Sequence, residues 1–380
     1  MATPWREAVA LAAGAATPLP PEDVPLAEAP GRVLAAAVAA LTDLPGSDTA
    51  AMDGYAVSGP GPWTVAGQVL AGGPPWGATV GPGSAVEIMT GAVVPAGTVA
   101  VVPYEHTTRT HAVVSGPLGD RAHIRRAGED ARAGDEMVPA GRPVTAAVAG
   151  LLAQAGADVV RVHARPRVRL LVTGDEVIAA GAPAAGQVRD VFGPMAPALV
   201  TAAGGVLHDH RLLPDDPGVL AAALLAADAE VVAVSGSSSA GRADHLRAVL
   251  AAAGGRPVVD QVACRPGHPQ LLASLPGGRW LVGLPGNPFA GLVAAVTLLQ
   301  PLLRGLAGLP AARFRRMPVH GDARPAPGIT RLTPVTLDGD RAVVVSGARP
   351  ASLAGAAQAD ALAVLEDGWS PGGPADILPW

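Results

Sequence analysis

Short apolar runs alternate regularly with helical segments between residues 167 and 305, and this alternation constrains the fold more than any other feature of the chain. Short apolar strands joined through helices are typical of a mostly parallel sheet that is buried on both faces. Ligands of such sheets bind beyond the carboxyl ends of the strands. The predicted strands are 168–172, 206–208, 231–234 and 281–282, and the predicted helices are 195–203, the segment from Pro217, and 246–253.

The segments on either side of this region predict a multidomain chain of the α/β class. Residues 1–44 plus 140–166 are predicted to form a discontinuous N-terminal domain, largely helical, with two short helices before residue 45. Residues 45–139 are predicted to be a β-rich domain, because short β-prone runs alternate there with Gly and Pro. Residues 306–380 also consist of short β-prone segments without a long helical pattern, and they are predicted to form a C-terminal β-barrel. Residues 167–305 remain as the central α/β domain.

The net charge of the chain indicates which class of partner it binds, and its cysteine content indicates its cellular compartment. The formal net charge of -5 argues against nucleic-acid binding, which needs a basic face to displace counterions from phosphates. Small molecules are the expected partners. Cys264 is the one cysteine and cannot form an internal disulfide, so a reducing, cytoplasmic compartment is predicted. The first 16 residues mix Arg6 and Glu7 into apolar sequence, and no secretion signal is expected.

The run from residue 280 to 303 is long and apolar enough to raise the question of a membrane span. Pro285, Gly286, Asn287 and Pro288 interrupt it near its start. A strand, a turn and a helix are therefore predicted, with no membrane partner.

Three glycine-bearing loops follow apolar runs of the α/β region. Glycine lets backbone N–H groups approach an anion closely, and a following helix N-terminus adds a favourable partial charge. A phosphate-like ligand is the functional interpretation, and tight turns without a ligand are the alternative for any single loop. The loops are Thr173-Gly174-Asp175-Glu176, Ser235-Gly236-Ser237-Ser238-Ser239-Ala240-Gly241 and Gly283-Leu284-Pro285-Gly286-Asn287-Pro288.

Carboxylates gather at predicted loop positions. Hard oxygen ligands of this kind hold Mg²⁺ together with substrate phosphate, so Mg²⁺ is the predicted cofactor. The simpler interpretation is helix capping, which suits Asp215 or Asp216 before Pro217, and Asp244 before the next helix. The carboxylates are Asp53, Asp130, Glu176, Asp215 and Asp244.

Two further patterns suggest other chemistry. His208 and His210 alternate along one strand and suggest a metal pair, but no third ligand follows at a recognisable spacing, so ordinary strand residues are the favoured interpretation. The segment 236–240 follows a strand like the nucleophile elbow of a serine hydrolase, with Ser238 as the nucleophile. Its last position is Ala where Gly is expected, and no His partner is identifiable.

The string Asp48-Thr49-Ala50-Ala51-Met52-Asp53-Gly54-Tyr55-Ala56 resembles the molybdopterin molybdotransferase family, which includes bacterial MoeA and the E domain of gephyrin. The likeness covers essentially the whole chain, because the other family motifs follow in matching order. They are Ile88-Met89-Thr90-Gly91-Ala92, Gly128-Glu129-Asp130, Thr173-Gly174-Asp175-Glu176, Asp215-Asp216-Pro217 and Gly283-Leu284-Pro285-Gly286-Asn287-Pro288.

The resemblance implies a homodimer whose central domain has the molybdopterin-binding, MogA-like fold and whose site is completed by the partner's β-rich domain. It implies a reaction in which adenylylated molybdopterin and molybdate give the molybdenum cofactor and AMP, with Mg²⁺. By similarity the catalytic residues are Asp53, Asp130, Glu176, Asp215 and Asp244, with Asp53, Glu176 and Asp244 as metal ligands. The implied substrate-binding residues are Thr90, Thr173, Gly174, Ser235, Gly236, Ser239, Gly241, Arg265, His268, Pro285, Gly286, Asn287 and Pro288.

Three departures from the family pattern define a second hypothesis. Arg265 and His268 stand where the family has two lysines, which weakens the attraction for an oxyanion. Ser237 and Ser238 replace Gly and Val in the serine-rich loop. Val191-Phe192 replaces Ser-Asn and removes two polar groups. A divergent paralogue that binds molybdopterin or nucleotide, or acts as a scaffold without turnover, is therefore the alternative to the transferase.

Overall fold

The computed structural model describes residues 2–226, 228–236 and 245–379. The α-helices are α1 (Trp5–Gly14), α2 (Ala146–Gln154), α3 (Phe192–Ala202), α4 (Pro217–Leu225), α5 (Leu246–Ala252), α6 (Pro288–Ala294) and α7 (Gln300–Leu306). The strands of the first 163 residues are β1 (Thr3–Pro4), β2 (Pro21–Pro25), β3 (Val38–Ala39), β4 (Thr49–Ala50), β5 (Gly54–Ser58), β6 (Trp63–Val69), β7 (Ser84–Ile88), β8 (Ala100–Pro103), β9 (Thr108–Thr110), β10 (Val113–Ser115), β11 (Ile124–Arg125), β12 (Glu136–Val138) and β13 (Val159–His163). The later strands are β14 (Arg167–Thr173), β15 (Val177–Ile178), β16 (Val188–Arg189), β17 (Val206–Leu213), β18 (Val231–Ser235), β19 (Arg256–Asp260), β20 (Val262–Arg265), β21 (Leu271–Leu275), β22 (Arg279–Leu284), β23 (Arg315–His320), β24 (Thr330–Asp338), β25 (Arg341–Val344), β26 (Ala361–Leu365) and β27 (Pro374–Pro379).

The chain divides into two compact units. The first comprises Met1–Glu22, Gly31–Val33 and Arg161–Trp380, and the second comprises Asp23–Pro30 and Leu34–Val160. The predicted four-domain division is finer than these two units and stays a prediction.

The centre of the first unit is a six-stranded sheet in the order β17-β14-β18-β22-β21-β19. Strands β17, β14, β18 and β22 are parallel, whereas β21 and β19 continue the sheet antiparallel. The mostly parallel sheet predicted from the sequence is therefore present. Strands β19 and β21 were not predicted, and in β19 the strand pattern is obscured by Pro257.

One long apolar helix fills the space between this sheet and α1. It runs over Pro288–Leu306, with a π-helical stretch at Ala295–Leu299 between α6 and α7. It is the one helix within the described ranges long and apolar enough to span a membrane, and 83% of its apolar window is buried inside the protein. Trp5 of α1 packs against it, and the Trp5 Nε1–H donates to Thr297 Oγ1 at 3.0 Å. This burial is that of a core helix.

The C-terminal strands close into a barrel. The order β24-β25-β23-β27-β26 returns to its start because β26 also pairs with β24. Its interior is lined by small and branched apolar side chains such as Val319, Val335 and Ile377. The predicted C-terminal β-barrel is confirmed as a barrel-like sheet.

The second unit contains a six-stranded sheet in the order β8-β5-β7-β6-β10-β9. Its strands match the predicted β-prone runs, and Trp63 of β6 and Ile88 of β7 are fully buried. The prediction of two helices before residue 45 was wrong. Among the described residues of that stretch only α1 forms, and between Pro25 and Pro30 a single turn of 3-10 helix remains at Leu26–Glu28, since proline limits a helix at both ends.

Candidate functional site

The described parts of the three glycine-bearing loops, which for the second loop are Ser235 and Gly236 alone, lie together at the carboxyl ends of β14, β18 and β22. Thr173 Oγ1 donates to the carbonyl of Ser235 at 3.1 Å. Gly236 has φ of +102°, and a Cβ there would stand 2.7 Å from Thr173 Oγ1. A Cβ at Gly286 would in turn contact the Cα of Gly236 at 3.4 Å. The loops meet backbone to backbone, and only glycine at residue 236 permits this approach.

A cavity of about 680 Å³ opens at this meeting point. Its apolar surface is suited to a flat ring system, and its polar groups come from the three loops and from residues 187–190. Predicted site residues that line it are Thr173, Glu176, Ser235, Gly236, Pro285, Gly286, Asn287 and Pro288, and the further lining includes Val172, Val177, Pro183, Gln187, Val188, Arg189, Asp190, Val191, Phe192, Pro269 and Ala351.

Ser235, one of the residues at this cavity, carries an unpartnered polar atom. The residue is fully buried, and its Oγ has no hydrogen-bond partner among the described atoms. Buried hydroxyls are rarely left without a partner, because this costs about 1–3 kcal/mol. The Ser235 hydroxyl therefore lies beneath the cavity wall, next to the Gly236 turn.

Three carboxylates, those of Asp175, Glu176 and Asp215, lie at or near the Thr173–Glu176 loop. Burial, followed by the negative charges of Glu176 and Asp175, raises the pKa of Asp215. The backbone N–H of Asp215 donates to Asp175 Oδ1 at 3.3 Å. The capping interpretation applies to the next residue instead, since Asp216 Oδ1 accepts from the N–H of Val219 at 2.9 Å. Asp215 is left to face the other two carboxylates.

The N-terminus of α6 is less open to an anion than its sequence predicts. The N–H groups of Phe289 and Ala290 both donate to the carbonyl of Pro350, at 2.9 and 3.3 Å. Gly286 and Asn287 therefore contribute the exposed part of this loop to the cavity.

The segment Val191-Phe192, which differs from the family pattern, is part of the packed core. Asp190 is buried and its carboxylate accepts the N–H groups of Phe192 and Gly193 at the start of α3. Phe192 is only 7% exposed and packs on Gly291 of α6. The helix begins at Phe192 rather than at residue 195, since the Asp190 side chain satisfies its first donors.

Arg265 and His268 are both exposed and do not line the cavity, whereas their neighbour Pro269 does. Nδ1 of His268 lies 2.8 Å from the carbonyl oxygen of Val262 and shares a hydrogen bond with it. Their predicted contact with substrate stays a prediction. Gly174 has φ of +144° and adjoins the carboxylate of Glu176.

In the second unit, Asp53 and Thr90 form a tight pair. The backbone N–H of Thr90 donates to Asp53 Oδ1 at 2.6 Å, and the Thr90 hydroxyl donates to the same oxygen at 2.8 Å. These bonds lower the pKa of Asp53. Asp130 lies elsewhere in this unit and forms an ion pair with Arg125.

The histidines of β17 each contact a carboxylate rather than a metal-ligand set. His208 Nε2 lies 3.3 Å from Asp228, and His210 Nε2 lies 3.0 Å from Asp190. Within residues 2–226, 228–236 and 245–379, no group of three metal-ligating side chains is positioned to hold an ion. The predictions for Ser237, Ser238, Ser239, Gly241 and Asp244 fall outside the described residues.

Sequence reasoning missed the contribution of the segment between Glu176 and Asp190. Pro183, Gln187 and Arg189 from it line the cavity. Gly181 and Gly186 mark this segment as a loop, but nothing in its local pattern indicates which side chains turn inward.

Comparisons with known proteins agree with this architecture. Residues 3–156 match the family described as MoeA N-terminal region (domain I and II), and residues 169–305 match the probable molybdopterin binding domain. A MoeA protein of Pyrococcus horikoshii has the same fold, with a TM-score of 0.82 at 22% identity over 100% of both chains.

Two relatives are similar in sequence over most of their length. Molybdopterin molybdenumtransferase 2 of Mycobacterium tuberculosis is 36% identical over 355 residues, which is 87% of each chain. Molybdopterin molybdenumtransferase of Haemophilus influenzae is 35% identical over 305 residues, which is 77% of this chain and 74% of the relative. The resemblance found in the motifs is confirmed, and the chain belongs to the MoeA family of molybdopterin molybdenumtransferases.

Proposed function

We propose that the chain transfers molybdenum from molybdate to adenylylated molybdopterin and releases AMP. The observation that carries this proposal is the contact of Thr173, Gly236 and Gly286 around one cavity. Backbone donors at such loops bind phosphate groups, and the apolar walls suit the ring systems of a pterin or a nucleobase.

Mg²⁺ is the proposed cofactor. Glu176 and Asp215 fit a cation, because their oxygens are hard ligands and because burial, followed by the negative charge of Glu176, raises the pKa of Asp215. Such an ion would neutralise charge on the phosphoanhydride, with water and substrate phosphate completing its shell. The chain's own part is to orient the phosphates at the Gly236 turn and to exclude water with its apolar wall.

Release of AMP by the purified full-length chain tests the proposed reaction. We expect AMP to appear only when adenylylated molybdopterin, molybdate and Mg²⁺ are all present. Gly236→Ala should abolish it, since a Cβ would clash with Thr173. Gly278→Ala is the matched control, because Gly278 also has positive φ but has open space around its Cβ position. Absence of AMP release from the wild-type chain would refute the function.

We further propose that the chain is a homodimer whose sites are completed across subunits, as the family resemblance implies. Analytical ultracentrifugation of the purified chain measures whether it is a dimer. For the second, Asp53→Asn and Gly236→Ala chains are mixed after separate purification. A shared site restores about a quarter of wild-type activity, because half of randomly mixed dimers are mixed and each contains one intact site. A site within one subunit restores none.

A binding protein without turnover is the second candidate. Among the described residues that line the cavity, Arg189 is the one cation, whereas Glu176 and Asp190 are both carboxylates. The lining therefore carries more negative than positive charge, so oxyanion attraction is modest. This candidate predicts tight binding of adenylylated molybdopterin with no AMP release. Complementation of a strain that lacks its own transferase would eliminate it.

A further inference from the structure

The charged side chains in the described lining of the cavity are Glu176, Arg189 and Asp190. Asp190 is committed within the protein, since its carboxylate accepts the N–H groups of Phe192 and Gly193 and contacts His210 Nε2 at 3.0 Å. The only positive charge available at the wall of the described cavity is therefore the guanidinium of Arg189.

The backbone around Arg189 is fixed by a short parallel pairing of β15 with β16, in which Ile178 lies opposite Arg189. The N–H of Val188 donates to the carbonyl of Glu176 at 2.9 Å, and the N–H of Asp190 donates to the carbonyl of Ile178 at 3.0 Å. Hydrogen bonds on both sides of Arg189 thus set where its side chain leaves the loop.

The guanidinium itself is largely uncommitted. Nη1 donates to the carbonyl of Gly181 at 2.7 Å, which orients the side chain. With the described carboxylates Arg189 forms no ion pair, and its Nε–H and Nη2–H groups have no described acceptor. An arginine with free donors on the wall of a cavity is suited to binding an oxyanion with two parallel hydrogen bonds.

We propose that Arg189 binds a tetrahedral oxyanion in this cavity, either a phosphate of the nucleotide or molybdate. The inference rests on the proposed function, and it assigns the cation of the site to the loop between Glu176 and Asp190. Arg265 and His268 lie outside the cavity lining and are not needed for this contact.

Calorimetric titration of the full chain with AMP and, separately, with molybdate tests the assignment. We expect Arg189→Gln to weaken binding of at least one probe by about 10-fold or more, since a hydrogen bond to a charged group contributes about 1.5–3 kcal/mol. Arg189→Lys should retain part of the affinity. Arg256→Gln is the matched control, because it removes the same charge from an exposed strand residue that does not line the cavity.

Loss of AMP binding alone identifies the nucleotide phosphate as the oxyanion, and loss of molybdate binding alone identifies molybdate. Both results support the proposal. If the wild-type chain releases AMP and Arg189→Gln binds both probes as Arg256→Gln does, the inference is overturned while the transferase function stands. If the wild-type chain binds neither probe and releases no AMP, the inference about Arg189 and the proposed transferase function are both refuted.

Discussion

The ring of Phe192 lies against Gly291 so closely that a Cβ at residue 291 would stand 2.5 Å from Cζ of the ring. The same Cβ would stand 2.8 Å from the carbonyl oxygen of Pro285. The aromatic residue at the start of α3 and the glycine of α6 therefore fit as a pair. This pair links the wall of the cavity, which Phe192 lines, to the core helix beneath it.

Gly291→Ala should destabilise the protein by about 1–3 kcal/mol, because an inserted methyl group in a close-packed core forces its neighbours to shift. Thermal unfolding measures the loss. Gly150→Ala in α2 is the control, since Gly150 has open space around it and alanine favours a helix by about 1 kcal/mol.

A double-mutant cycle with Phe192→Leu separates the Phe192 contact from the contact with Pro285. If Phe192 is the obstacle, Gly291→Ala costs less in the Phe192→Leu background than in the wild-type chain. Equal costs in the two backgrounds would show that Phe192 moves aside freely.

The α/β sheet could be predicted because buried parallel strands are uniformly apolar and stand between helices with clear spacing. The predicted runs 168–172 and 231–234 fall inside β14 and β18. The meeting of their loops was also predictable, since parallel strands place their carboxyl ends at one edge. Arg189 could not be found in this way. Its position depends on hydrogen bonds to Glu176 and Ile178 through the backbone, which leave no signature in local sequence.

Trp5 and Thr297 form a buried hydrogen bond that joins α1 to the π-helical stretch of the core helix. Thr297→Val should cost about 1–3 kcal/mol, because it leaves the indole N–H buried without an acceptor. Denaturant unfolding followed by tryptophan fluorescence measures the change. Thr297→Ser retains the hydroxyl and should cost less. In a Trp5→Phe background, which has no N–H to satisfy, the Thr297→Val penalty should shrink, and an undiminished penalty would contradict the role given to this bond.

Thr90 controls the acidity of Asp53. Its N–H and hydroxyl both favour the carboxylate, so the pKa of Asp53 is below its ordinary value. A lowered pKa in the folded state contributes stability above the unfolded pKa, and this contribution is lost as the pH falls through the folded value. Thr90→Val removes the hydroxyl donor and should raise the pKa of Asp53, measured by carboxyl ¹³C NMR. Thr90→Ser retains the hydroxyl and should leave the pKa of Asp53 low. If the pKa of Asp53 is unchanged in Thr90→Val, the backbone N–H of residue 90 alone accounts for the lowered pKa.

Asp215 titrates in the opposite sense. Burial and the charges of Glu176 and Asp175 raise its pKa, so the folded chain binds this proton more tightly than the unfolded chain. Ionised Asp215 therefore destabilises the fold at neutral pH, and the penalty is relieved as the pH falls through the raised pKa.

Glu176→Gln should lower the pKa of Asp215, whereas Asp322→Asn, on an exposed loop, should leave the pKa of Asp215 unchanged. Millimolar Mg²⁺ should also lower it in the wild-type chain, since a bound cation favours the carboxylate. A pKa indifferent to both Glu176→Gln and Mg²⁺ would remove the physical basis for a magnesium site at this loop.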